Sequence, residues 1–96
     1  MNALTIVHET IKRFVRDGDV CIDATAGRGY DTAFLCELVG KNGKVIAMDI
    51  QQDAVDSTNA LLESKGLCAQ VVLDSHANMA KYAEKDSVRC IVFNLG

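Results

Sequence analysis

Apolar and polar positions change their period along this 96-residue chain. Over residues 3–16, Leu4, Val7, Ile11, Phe14 and Val15 recur at steps of three and four, which predicts an amphipathic helix stopped by Asp17-Gly18-Asp19. Beyond it, short continuous apolar runs alternate with helical patterns. Strands are predicted over 20–24, 44–49, 69–73 and 88–93, and helices over 31–39, 51–65 and 77–84. The helix over 51–65 carries Ala54, Val55, Thr58, Leu61 and Leu62 on one face, Asp53 in its first turn, Lys65 in its last and Gly66 as its stop.

Apolar strands separated by helices imply a parallel sheet covered on both faces, with right-handed crossovers. The expected fold class is therefore α/β, a Rossmann-like three-layer sandwich around a four-strand parallel sheet. Its first strand should lie beside its fourth, at the switch point where ligands bind. Gly27, Asp49, Asp74 and Asn94 all fall at carboxyl ends of predicted strands. Residues 1–96 read as a single domain, and the fourth strand leaves a flat apolar edge that a soluble monomer would expose. The expectation is a truncated domain, or a homo-oligomer in which a second copy covers that edge.

Composition narrows the class. Apolar residues make up 49% and charged ones 24%, the balance of a globular chain rather than a disordered or membrane-spanning one. No apolar stretch approaches the roughly 20 residues that cross a bilayer, and no signal-peptide pattern opens the chain, so no membrane role is expected and the expected location is cytoplasmic. Cys21, Cys36, Cys68 and Cys90 form no CxxC pair and have no histidine cluster, so no metal site is expected; Cys21, Cys36 and Cys90 lie inside apolar segments and read as core side chains in a reducing compartment. A net charge of −3 gives no general attraction to nucleic acid. Lys12, Arg13 and Arg16, with Glu9 and Asp17 nearby, read as a solvated helix face.

The chemistry gathers after the first and second strands. Gly27-Arg28-Gly29 between strand and helix places backbone N–H groups and a positive helix end where a carboxylate is welcome. The same glycines also suit a plain tight turn. Asp49, ending the second strand, is placed to take two ribose hydroxyls, or to start a helix. Thr32 stands where a dinucleotide GxGxxG loop needs its third glycine, and no GxxxxGK[ST] run is present, which argues against NAD and against nucleoside triphosphates. A phosphate-free nucleoside fits better, and S-adenosyl-L-methionine offers a ribose for Asp49, an adenine for the loop after strand three and an amino-acid end for the loop after strand one. Asp74 can meet the adenine amino group while the Ser75 N–H meets a ring nitrogen; an ordinary turn is the alternative. Asp31 also suits a helix N-cap, and His8 reads as a packed structural histidine.

The strings Asp23-Ala24-Thr25-Ala26-Gly27-Arg28-Gly29-Tyr30-Asp31-Thr32, Phe34-Leu35, Asp49-Ile50-Gln51, Asp74-Ser75-His76 and Phe93-Asn94-Leu95-Gly96 resemble the rRNA methylase family of small class I methyltransferases. The resemblance spans nearly the whole chain. It implies S-adenosylmethionine as cofactor, lined by Arg28 and Asp31, Asp49 and Gln51, and Ser75 and His76. Arg28 stands where the family often has asparagine, and an arginine is a charged donor for the methionine carboxylate. The resemblance also implies an RNA substrate, by way of N-methylation of the aminomethyl group on a modified tRNA wobble uridine. Asn94 would then be the catalytic residue, its side-chain carbonyl orienting the target amine; a strand-end turn is the alternative. His76 has the chemistry of a general base, though a pocket or helix-cap role is the favoured reading. The family continues beyond Asn-Leu-Gly into a further half-domain, so a nucleoside-binding module without turnover is the rival reading.

Overall fold

The computed structural model describes residues 3–84 and 86–93. Along the chain run α1 (Ala3–Phe14), β1 (Val20–Asp23), α2 (Tyr30–Val39), β2 (Lys44–Asp49), α3 (Gln52–Lys65), β3 (Gln70–Leu73), the 3₁₀ helix η1 (His76–Lys81) and β4 (Val88–Val92). All pairings are parallel and the order is β3-β2-β1-β4, so β1 lies between β2 and the returning strand β4. This is the α/β architecture expected from the alternating pattern.

Strand order dictates the layers. Two successive right-handed crossovers, through α2 and α3, move the sheet the same way and so place both helices on one face. That face holds the larger core: Ile11 and Val15 from the α1 end, Leu35, Cys36 and Val39 from α2, Leu62 from α3, and Cys21 and Val45 from the sheet. The connection from β3 returns across the sheet, and its η1 lies on the opposite face, where Met79, Tyr82 and Ala83 pack on Ile22, Ile46 and Met48. Among the described residues the third layer is this one short helix.

Several boundaries shift for local reasons. The first helix ends at Phe14 rather than at residue 16, because Asp19 Oδ2 accepts the Arg16 N–H at 2.8 Å and the Asp19 N–H returns to the Arg16 carbonyl at 3.1 Å. Ile11 and Val15 are buried as predicted, whereas Phe14 faces solvent; Leu4 and Val7 lie outside the described side chains. The segment over 77–84 tightens into η1, because the Ser75 hydroxyl takes the Ala77 N–H at 3.1 Å and Asn78 leaves helical geometry. On α3, Val55, Thr58 and Leu62 are buried, the predicted face.

The cysteines divide by depth. Cys21 and Cys36 are buried as expected of core thiols, Cys90 only partly so, and Cys68, outside the apolar segments, is exposed. Burial pushes the Cys21 thiol up to about 12 and the Cys36 thiol to about 11, so neither is a nucleophile near neutrality. Lys12, Arg13 and Arg16 are exposed, with Lys12 Nζ 3.5 Å from Glu9 Oε1, the solvated face that was expected. No helix among the described residues is long and apolar enough to cross a membrane.

Candidate functional site

The carboxyl edge of the sheet carries three aspartates, one after each of β1, β2 and β3, and each has a different environment. Asp23 ends β1 and is fully buried. Its Oδ2 accepts the Thr32 hydroxyl at 2.7 Å and its Oδ1 the Thr25 N–H at 3.2 Å. Burial raises its pKa above the usual carboxyl value, against the pull of those two hydrogen bonds. Asp23 thus ties the start of the glycine loop to the first turn of α2. The signal for this role in the sequence is an acid closing an apolar run, with Thr32 on the helix behind it.

The loop itself is fastened on every side. Ala24 N–H bonds to the Val92 carbonyl of β4 and Ala26 N–H to the Met48 carbonyl of β2, each at 2.8 Å. Thr58 on α3 donates its hydroxyl to the Gly27 carbonyl at 3.3 Å. The two glycines have separate reasons to be glycine. Gly29 takes φ +92°, and a Cβ there would lie 2.9 Å from the Thr58 Cα, so it permits the close approach of α3. Gly27 takes φ +56°, and a Cβ there would meet only the Thr25 carbonyl oxygen at 4.0 Å, so it borders open space. Open space beside a loop at the carboxyl edge is room for a ligand.

Gly29 also caps α2, which moves the helix start to Tyr30 and Asp31 into the first turn; Asp31 is therefore not the N-cap. The bond from Ala33 N–H to the Gly29 carbonyl, at 2.9 Å, is the first of the helix. The N–H groups of Tyr30, Asp31 and Thr32 precede it and have no intrahelical acceptor, which suits an anionic group. Asp31 Oδ1 accepts His8 Nε2–H at 2.9 Å. Arg28 is exposed on the loop.

Asp49 is the link between loop and sheet. Its Oδ2 accepts the Gly27 N–H at 3.1 Å and its Oδ1 the Gln51 N–H at 3.0 Å, while its side chain stays partly open to solvent. A carboxylate offers about four acceptor positions, so two remain for hydroxyls. Gln51 is the N-cap residue of α3, its backbone held by Asp49 and its side chain exposed.

Asp74 is occupied internally. It accepts the Ser75 N–H at 2.7 Å, Asn78 Nδ2–H at 2.8 Å and the Tyr82 hydroxyl at 2.6 Å. These bonds, the Tyr82 hydroxyl first, lower its pKa, and the same contact raises that of Tyr82. Asp74 therefore braces η1, with one acceptor position left on Oδ2. Ser75 caps η1, and His76 is exposed with its ring edge-on to Phe93, centroids 5.3 Å apart. Asn94 lies outside the described residues. Neither Asn78 nor Tyr82 is marked in the sequence as a partner of Asp74, because their spacing from it matches no motif.

The direction of the Asp74 shift fixes a pH effect. A carboxyl whose folded pKa lies below its ordinary 3.8 contributes stability above that value and loses it as pH falls through the folded pKa. Tyr82 behaves oppositely: raised above 10.0, it contributes below that pH and loses the contribution as pH rises through its folded value. In an alkaline titration followed by phenolate absorbance, Asp74→Asn is expected to move the later-ionising tyrosine back toward its ordinary value. An unchanged titration curve would show that the pair is not formed in solution.

A cleft of about 770 Å³ lies elsewhere, lined by Val20, Lys44 and Ile46 at the amino ends of β1 and β2 and by Tyr82 and Ala83 beyond η1. The chemistry-bearing residues are at the opposite end of the strands, so the carboxyl edge is the candidate site.

A parallel β3-β2-β1-β4 sheet, with helices packed on the face behind a glycine loop, is the fold of class I methyltransferases. Residues 45–96 match the family described as “Putative rRNA methylase”, and the chain belongs to that family. It is 34% identical to the chloroplastic tRNA (mnm(5)s(2)U34)-methyltransferase of Arabidopsis thaliana, in an alignment covering 98% of this chain and 38% of the relative. Among solved structures, a Clostridium thermocellum protein described as a “putative rRNA-methylase” is 44% identical with a TM-score of 0.95, over all of this chain and 52% of that one. SMU.1697c of Streptococcus mutans, described as “a putative methyltransferase” and solved in complex with SAH, is 34% identical with a TM-score of 0.89, over all of this chain and 53% of that one. The chain spans about half the length of these solved relatives, and less of the plant one.

Proposed function

We propose that this chain forms the S-adenosylmethionine-binding half of an RNA methyltransferase whose acceptor is an aminomethyl nitrogen on a modified tRNA wobble uridine. The observation that carries the cofactor reading is the bond from the Gly27 N–H to Asp49 Oδ2, which sets a partly exposed carboxylate against the open side of the glycine loop. Asp49 would hold the ribose hydroxyls, the first turn of α2 and Arg28 the methionine carboxylate, and Ser75 with the remaining position on Asp74 the adenine. Gln51 and His76, exposed at the same edge, would border the pocket. The bound cofactor supplies an activated methyl group on a sulfonium. The protein's part is then alignment and exclusion of water, with Asn94 orienting the acceptor amine. The tRNA acceptor is supported by the likeness to the plant tRNA methyltransferase.

A second reading is a nucleoside-binding module without turnover. Isothermal titration with S-adenosylmethionine, with NAD as control, tests what both readings share: binding of the first alone is expected. Preference for NAD would overturn both. Methyl transfer from labelled S-adenosylmethionine to undermethylated tRNA then separates them, since binding without transfer favours the module.

A further inference from the structure

His8 was expected to be a packed structural residue, and its surroundings give it more to do. Its ring lies face to face with Phe34, centroids 3.9 Å apart and planes 9° from parallel. Its Nε2 lies 2.9 Å from Asp31 Oδ1, with the two side chains 24% and 14% exposed. Phe34 and Asp31 are three residues apart on α2 and so share one helix face. The imidazole therefore meets α2 twice, by its face and by its edge, and its rotation is fixed.

Only one oxygen of Asp31 is used by that contact. Oδ2 has no partner among the described residues. Asp31 stands in the first turn of α2, directly behind the glycine loop. A ligand whose ribose is held at Asp49 and which runs along the open side of Gly27 brings its far end to this turn. The helix N–H groups there suit a carboxylate. An ammonium on the same end requires an acceptor beside them, and Asp31 Oδ2 is a carboxylate oxygen at that place.

We propose that His8 is a positioning residue for the cofactor's amino-acid end, holding the Asp31 carboxylate so that Oδ2 meets the ammonium. The inference rests on the S-adenosylmethionine reading above, and it makes α1 part of the site. A carboxylate left unrestrained must be ordered when the ligand binds, and that ordering lowers affinity for an ammonium and for nothing else in the ligand.

Two nucleosides separate this role from a structural one. S-adenosylhomocysteine carries the amino-acid end, and 5′-methylthioadenosine lacks it. His8→Phe keeps the stack on Phe34 and removes the N–H donor. It is expected to weaken S-adenosylhomocysteine binding by up to about tenfold, the cost of ordering one further side chain on binding, and to change methylthioadenosine binding less than about twofold. His8→Gln restores a donor and should recover part of the loss, while Asp31→Asn should reproduce it and make His8→Phe silent on top of it. Equal weakening of both nucleosides, or of neither, overturns the assignment of His8 alone. A parent chain that binds neither nucleoside overturns the cofactor reading, and the role of His8 with it.

Discussion

Asp49→Ala is expected to weaken S-adenosylmethionine binding by about 100-fold or more, the largest effect on ligand affinity of any single substitution at this edge. Two hydroxyls donating to one carboxylate are charge-assisted hydrogen bonds, each contributing roughly 1.5–3 kcal/mol. Removing the carboxylate forfeits both. It also releases the Gly27 and Gln51 N–H groups, but these are solvent-exposed bonds that water can replace. The expected loss of stability is therefore only about 1 kcal/mol. Titration calorimetry gives the first quantity and a thermal melt the second. Asp49→Asn, which keeps one acceptor oxygen, should fall between parent and alanine. An affinity unchanged in Asp49→Ala would remove the ribose from Asp49 and, with it, the orientation of the ligand along the loop.

The largest expected effect on stability comes from one methyl group at Gly29. Its φ of +92° disfavours any side chain, and an alanine Cβ would lie 2.9 Å from the Thr58 Cα and 3.2 Å from both outer atoms of that side chain. A left-handed backbone costs a non-glycine residue roughly 1–2 kcal/mol, and overpacking adds about 1–3. The sum, about 2–5 kcal/mol, is a large part of the roughly 5–15 kcal/mol by which a domain is stable. Thr58 is fully buried and cannot swing aside. Gly27→Ala meets no such neighbour, so only the backbone cost of about 1 kcal/mol applies. Urea unfolding of the two variants should rank Gly29→Ala well below Gly27→Ala. Equal destabilisation would show that α3 does not rest against the loop as described.

Together the two substitutions divide the glycine motif into a part that packs and a part that binds. A motif reading treats both glycines as cofactor contacts. In the folded chain Gly29 faces α3 and Gly27 faces the open side, where Asp49 holds its N–H. The same division applies to the acids. Asp23 is withdrawn beneath the loop and Asp74 is spent on η1 save for one position on Oδ2, which leaves Asp49 and Asp31 with the most to offer.

The order of strands and helices was legible in the chain because burial imposes a period on it: continuous apolar strands such as Val45-Ile46-Ala47-Met48, and helix faces such as Val55, Thr58 and Leu62. The placing of Gly27, Asp49 and Asp74 at one edge followed from the same pattern, since parallel strands all end on the same side. Hydrogen-bond partners were not legible. His8 and Asp31 are separated by 23 residues and Gly27 and Asp49 by 22, and no local period records which of several acids a distant group will meet. That choice is made by how α1 and the strand ends pack, because a hydrogen bond forms only within a few tenths of an ångström of its proper length. Composition can supply the acids; only the packed sheet decides which of them is buried, which is occupied and which still has a lone pair to give.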